Sequence, residues 1–337
     1  MLYKNIEVHN VGKLYVNEET KGTQWLRVPE NVYEKMESDQ GKKMCCGSTG
    51  VELRFVMKSD KVTIRMRAKG ENTVFHVYRG SIQGGWEDHE VNKVLTSDFM
   101  DYEIKKSPNL PVLQRMTDDF DEPFSPEVVR VIFDRGEIEI LDVIGDVEPP
   151  KKEQLPKKTL LSYGSSITHG SNSLDHSNAW VSVLAHNLKV DHRNLGMAGS
   201  CRMEPELVEY IASEGERGNW DMATLELGIN VLEWEEDKIT ERVENTIKQI
   251  AGRNSEKPVY VISPFYCNDD YNNDGIQAKK WRRLIPQVVK ELNYPNVTYI
   301  DGLELLGDMS LISADEVHPN IFGVAQIAKR LTKIIKG

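Results

Sequence analysis

Two serines stand side by side in "LSYGSSITHGS", Leu161 to Ser171, where a short apolar run meets a glycine corner and the chain turns polar. A serine hydroxyl needs a base to take its proton, the base needs an orienting acceptor, and the oxyanion that forms needs preorganised donors. Residues able to fill each part lie far apart along the chain: Asp315 and His318 in "DEVHPN", Asn230 in "LGIN", Gly196 and Gly199 in "NLGMAGS". Asp315, accepting from one imidazole nitrogen, would fix the tautomer and stabilise the imidazolium as His318 takes a proton from serine. The Asn230 amide donates without carrying charge. Each residue also has a plain structural use. A serine here can cap a helix, Asn230 can cap a turn, and Asp315 with His318 can form a polar loop leading into the last helix.

The elements that must bring these residues together follow a change of style in the chain. "VEPPKKEQLPKK", Val147 to Lys158, has little to bury and reads as a linker. After it, short apolar runs in "TLLSYG", "DMATLELG", "PVYVISPF" and "NVTYIDG", with a weaker one in "VDHRNLG", alternate with amphipathic segments. Ile239, Val243, Ile247 and Ile250 recur at helical spacing, and "FGVAQIAKRLTKII" predicts a final helix. Such βα alternation predicts a parallel sheet with helices on both faces and functional groups at the carboxyl ends of its strands. All the candidate residues sit at such ends.

The first half reads as strands. Val51, Leu53, Phe55 and Met57 alternate with polar residues, as do Val62, Ile64, Met66 and Ala68 after "KSDK", which predicts a hairpin. A second hairpin is predicted in "VVRVIFDRGEIEILDVIG", turning at Asp134 to Gly136, and a further strand in "NTVFHVYRG". An antiparallel, jelly-roll-like β-sandwich is the economical arrangement. The expected organisation is a sandwich domain over 1–146, a linker over 147–158 and an α/β domain over 159–337.

A chain of 337 residues with 39% hydrophobic content can build two cores. Its net charge of −11 argues against nucleic acid or an anionic membrane as the main partner. No run reaches transmembrane length and the first residues lack the apolar core of a secretory signal, so a cytoplasmic setting is expected. Cys45, Cys46, Cys201 and Cys267 form no framework, and adjacent Cys45 and Cys46 lack nearby ligand types. His76, His89, His176, His186 and His192 show no metal-ligand spacing, so neither metal nor cofactor is expected.

Taken together, "YGSSITHG", "NLGMAGS", "LGIN" and "DEVHP" resemble the four sequence blocks of the SGNH hydrolases, the GDSL-like esterases and lipases, in the family's order. The resemblance runs from about Thr159 to Gly337 and implies a three-layer, flavodoxin-like hydrolase domain. It matches Ser166 to the nucleophile, His318 to the general base and Asp315 to its orienter. The oxyanion hole falls to the N–H groups of Ser166 and Gly199 and the Asn230 side chain. Two departures mark a divergent branch: Ser165 takes the place of the family's common Asp, and Val231 follows Asn230 where many members carry Asp. The upstream half resembles the jelly-roll modules of some carbohydrate esterases and related acyl-transfer members.

The activity implied is hydrolysis of carboxylic esters through an acyl-serine, with a short acyl group such as acetyl on a carbohydrate as substrate. Partners are thus a small-molecule or oligosaccharide ester, with a homo-oligomer left open. His169, Trp234, Phe265 and Tyr266 are candidates to line the substrate site, with core packing the competing use for the three aromatics and a surface position for His169. An acyltransferase would use the same acyl-enzyme. A lipase calls for an apolar lid that no long apolar loop supplies; a thioesterase and an inactive carbohydrate-binding protein are the remaining alternatives.

Overall fold

The computed structural model describes residues 1–85 and 93–337. The chain forms two compact units. One comprises Met1–Tyr33, Cys45–Lys157 and Lys189–Asp191; the other comprises Glu34–Met44, Lys158–Leu188 and His192–Gly337. The units are therefore not the consecutive segments that a division at 1–146, 147–158 and 159–337 would give. The supposed linker is also structured: Val147–Glu148 pairs with Met57 and Val56, with Val147 buried, and Lys152–Gln154 forms a 3-10 turn.

The first unit is a β-sandwich of two antiparallel sheets. One orders its strands Leu2–Tyr3, Ile6–His9, Glu52–Met57, Val128–Phe133, Thr73–Arg79 and Ile82–Gln83; the other orders Met100–Lys105, Lys61–Lys69, Glu137–Ile144, Thr23–Leu26 and Lys13–Val16. The core between them takes the inward residues of both, Leu53, Phe55, Phe75 and Val131 from one and Ile64, Met66, Ile138 and Ile140 from the other. Neither predicted hairpin forms. Glu52–Met57 pairs with Val128–Phe133 and Ile6–His9, while Lys61–Lys69 pairs with Met100–Lys105 and Glu137–Ile144. Both turns carry the chain from one sheet to the other. Alternation reports which residues face a core and not which strand accepts the backbone bonds, so a hairpin and a cross-sheet arch look alike in sequence.

The sheet of the second unit has five strands: β1 (Thr159–Gly164), β2 (Asp191–Gly196, its first residue counted with the first unit), β3 (Met222–Glu226), β4 (Val259–Ile262) and β5 (Val297–Ile300). Their order is β2-β1-β3-β4-β5, with parallel pairing from β1 through β5. The buried runs Leu160–Leu161 and Val259, Val261 and Ile262 are what a strand covered on both faces requires. Helices α1 (Trp180–Leu188) and α5 (Ile321–Lys336) pack together, as do α3 (Glu236–Ile247) and α4 (Ile276–Leu292); α2 (Pro205–Glu216) precedes β3. Ile239, Val243, Ile247 and Ile250 are all fully buried. This strand order reverses direction at β1, which puts a ligand crevice at the carboxyl ends of β1 and β3.

Candidate active site

β1 ends at Gly164, and the chain turns at once into the short helix Ser166–His169. Ser165 is its cap, the side chain accepting from the Ile167 N–H at 3.1 Å. The capping role foreseen for a serine therefore belongs to Ser165, and Ser166 is left with its hydroxyl directed elsewhere. Ser166 Oγ lies 2.7 Å from His318 Nε2, and His318 Nδ1 lies 2.8 Å from Asp315 Oδ2. Because a carboxylate only accepts, Nδ1 carries the proton and Nε2 is free to accept from the serine hydroxyl. The series can draw a proton from Ser166 and hold the resulting imidazolium against a carboxylate.

Both oxygens of the Asp315 carboxylate accept hydrogen bonds. Its Oδ1 accepts from the N–H groups of Val317 at 3.1 Å and His318 at 2.9 Å, and its Oδ2 also accepts from Asn172 Nδ2 at 2.6 Å. Partial burial works to raise its pKa, but the backbone N–H and imidazole of His318 outweigh that and bring it down to about 2. The loop that presents the pair is held by Ser313 N–H on His318 O and by a bridge between Ile312 and Pro319. Within it Glu316 adopts φ 64°, an uncommon conformation for a residue with a side chain.

Gly199 and Asn230 come from the loops after β2 and β3. The Met197 N–H donates to Gly164 O at 2.8 Å, joining the β2 loop to the corner before Ser166. Asn230 Oδ1 accepts from the Cys201 N–H at 3.0 Å, so the Asn230 amide nitrogen is its outward end. Among the described residues, no protein acceptor meets that nitrogen or the N–H groups of Ser166 and Gly199. Those are the donors an oxyanion would need.

A residue the sequence reading passed over lies behind the corner. Glu226, last in β3, is fully buried, and its Oε2 accepts from Ser165 N–H at 2.7 Å, Ser165 Oγ at 2.7 Å and Thr168 Oγ1 at 3.1 Å. Among the described residues, its Oε1 meets no hydrogen-bond partner. Burial pushes its carboxyl up to about 7, against the pull of the Ser165 and Thr168 donors. A Cβ at position 164 would lie 2.3 Å from Thr168 Oγ1 and 2.6 Å from Glu226 Oε2, so only glycine allows this approach. One signal pointed to Glu226: it is the lone charge in the apolar run "MATLELG".

The remaining candidates divide. His169 is buried in the Ser166–His169 helix, which removes the surface reading, and Phe265 is fully buried and belongs to the core rather than an accessible wall. Trp234 and Tyr266 are half-buried; Lys238 Nζ sits 4.1 Å from the Trp234 ring centroid. His89 lies outside the described residues. Among those residues, no group of three or more His, Cys, Asp or Glu side chains could hold a metal, and no helix is long and apolar enough to cross a membrane.

The model of the GDSL-like lipase/acylhydrolase family matches residues 157–336. No curated protein matches the chain by sequence. Among solved structures, the salicylyl-acyltransferase SsfX3 from a tetracycline biosynthetic pathway is similar, with TM-score 0.79 and 15% identity over 98% of this chain and 94% of that one. A putative GDSL-like lipase from Bacteroides ovatus has TM-score 0.66 and 18% identity, covering 98% of both chains. A family two carbohydrate esterase from Cellvibrio japonicus has TM-score 0.66 and 12% identity over 99% of this chain and 95% of its own. At such identities the likeness to these structures is one of fold.

Proposed function

Since the chain belongs to the GDSL-like lipase/acylhydrolase family, we propose that it is a serine esterase which removes a short acyl group, such as acetyl, from a carbohydrate or other small-molecule ester. The observation that carries this reading is the unbroken contact series from Ser166 Oγ through His318 to Asp315, at 2.7 and 2.8 Å. Ser166 Oγ attacks the ester carbonyl while its proton passes to His318 Nε2. The carbonyl oxygen becomes an oxyanion facing the Ser166 and Gly199 N–H groups and the Asn230 amide. Collapse expels the alcohol, which takes the proton from His318 and leaves an acyl-serine. Water then attacks the acyl carbon, with His318 as base again, and releases the carboxylic acid and the free serine.

Exposure of Gly199 and Asp315 supports an open rim, suited to an alcohol part as large as an oligosaccharide. The fold likeness to family two carbohydrate esterases agrees with that substrate class. The test is a series of esters from nitrophenyl acetate to acetylated oligosaccharides, with Ser166→Ala as blank and mass spectrometry of a fluorophosphonate adduct. Acetate release with the adduct on Ser166 is expected; an adduct on Ser165 would overturn the assignment.

A second reading, acyl transfer, draws support from the TM-score of 0.79 to an acyltransferase. An alcohol would then replace water in the second half-reaction. Adding an acceptor alcohol and analysing products separates the two: a new ester in place of free acid favours transfer.

A further inference from the structure

We infer that Gln40 is a positioning residue for the Gly199 oxyanion donor. Gln40 Nε2 donates to Ala198 O at 2.9 Å. That carbonyl and the Gly199 N–H belong to the same peptide unit. Among the described residues no peptide bond is cis, so the two groups point in opposite directions across the peptide plane. Holding the carbonyl on the Gln40 side therefore aims the N–H away from Gln40. A Cβ at position 199 would meet Gln40 Cγ at 3.5 Å, so the side chain also rests against the glycine.

The peptide needs such a hold. Gly199 has φ 69°, and a glycine moves between backbone regions at little cost. Turned over, the same peptide would present its carbonyl oxygen where the N–H had been and would repel an oxyanion. The Gln40 bond opposes that rotation. It also polarises the amide, because a carbonyl that accepts makes its own N–H a better donor.

Gln40 is itself anchored. It lies in the helix Asp39–Cys46, where Ser38 Oγ accepts from the Gly41 N–H at 3.0 Å. Arg242 fastens the same segment to the loop beyond Gly199, donating to Glu37 Oε1 at 2.8 Å and Met203 O at 3.1 Å. An element encoded early in the chain thus braces a donor encoded 159 positions after Gln40, within one compact unit.

The inference rests on the esterase reading, and the experiment separates the two. Gln40→Met keeps the packing against Gly199 and loses the donor. Its kcat on a chemistry-limited ester should fall about three- to tenfold, the range one hydrogen bond of this kind is worth, with KM little changed. Affinity for a boronic acid, which forms a tetrahedral adduct on the serine, should fall by a similar factor. Gln40→Glu, which cannot donate, should do no better. A wild-type kcat and boronate affinity in Gln40→Met, or a change in KM alone, would overturn the positioning role while the esterase reading stands. Wild-type turnover no greater than that of Ser166→Ala would overturn both.

Discussion

The Arg54 cluster of the sandwich unit and the candidate active site hold their polar groups on opposite terms. In the sandwich unit, Arg54 is completely buried, and its guanidinium makes two bonds of 2.7 Å to Asp191 and one of 2.8 Å to Glu52. Arg130 closes the set with bonds of 2.8 and 2.6 Å to the same Glu52. Burial alone would disfavour all of these charges, yet their mutual attraction wins: Glu52 and Asp191 are held well below the usual carboxylate range and Arg54 above the usual guanidinium range. At the site, by contrast, the donors of Ser166, Gly199 and Asn230 meet no acceptor among the described residues, and Glu226 has one oxygen that meets no donor there. In the Arg54 cluster the buried charges close on one another. Polar burial that serves chemistry leaves a side open for the charge that forms during reaction.

The sharpest break in this contrast is Ser166→Ala, which should lower turnover by a factor on the order of 10⁶, as in hydrolases whose nucleophile is removed, without a matching loss of stability. Ser165→Ala, by the same steady-state assay, should keep substantial activity. Arg54→Ala should do the reverse. It leaves Asp191 buried without its guanidinium partner and Glu52 with Arg130 alone, at a cost of about 3–5 kcal/mol read from urea unfolding. A loss below about 1 kcal/mol would mean that water reaches the cluster.

Asn230→Ala comes next, with kcat reduced about 10²- to 10³-fold and substrate binding little altered. An unchanged rate for a saturating, chemistry-limited ester would return Asn230 to a turn-capping role. The smallest effect concerns Glu226, whose carboxyl sits at about 7 in the fold against 4.5 ordinarily. Between those values the folded chain keeps a proton that the unfolded chain has released. The stabilisation tied to this group is thus complete below about pH 4.5, declines as pH rises and is gone above about 7. Glu226→Gln should flatten that decline, seen as a smaller drop in urea midpoint from pH 5 to pH 8. Glu204, also pushed up to about 7 by burial, contributes in the same direction. An identical slope in wild type and variant would show that Glu226 does not titrate there.

Strand-end chemistry was legible because βα alternation fixes where side chains of distant residues emerge: Ser166, Gly199, Asn230 and the Asp315–His318 pair could be read as neighbours from their positions after apolar runs. Pairing within the sandwich was not. Met57 and Val62 both face the core, whether the turn between them folds back or crosses over. Gln40 and Asn172 left no trace either. Each acts through one hydrogen bond to a residue 158 or 143 positions away, and an exposed amide in a polar stretch looks like any other solvated residue. Glu226 stood out only as an acid among apolar neighbours, and its two donors, Ser165 and Thr168, lie some sixty positions earlier.

The interleaving of the units bears on how the molecule is made. Residues 34–44 leave the ribosome long before β1 and β2, with the bulk of the sandwich strands synthesised in between. The brace for the Gly199 peptide must therefore wait, unpaired, while more than a hundred later residues emerge. Contacts of such long sequence separation form late, because the entropy of closing so large a loop is lost before the contact gives anything back. Hydrolytic competence should accordingly be among the last properties the nascent chain acquires, arriving after the sandwich strands have been made.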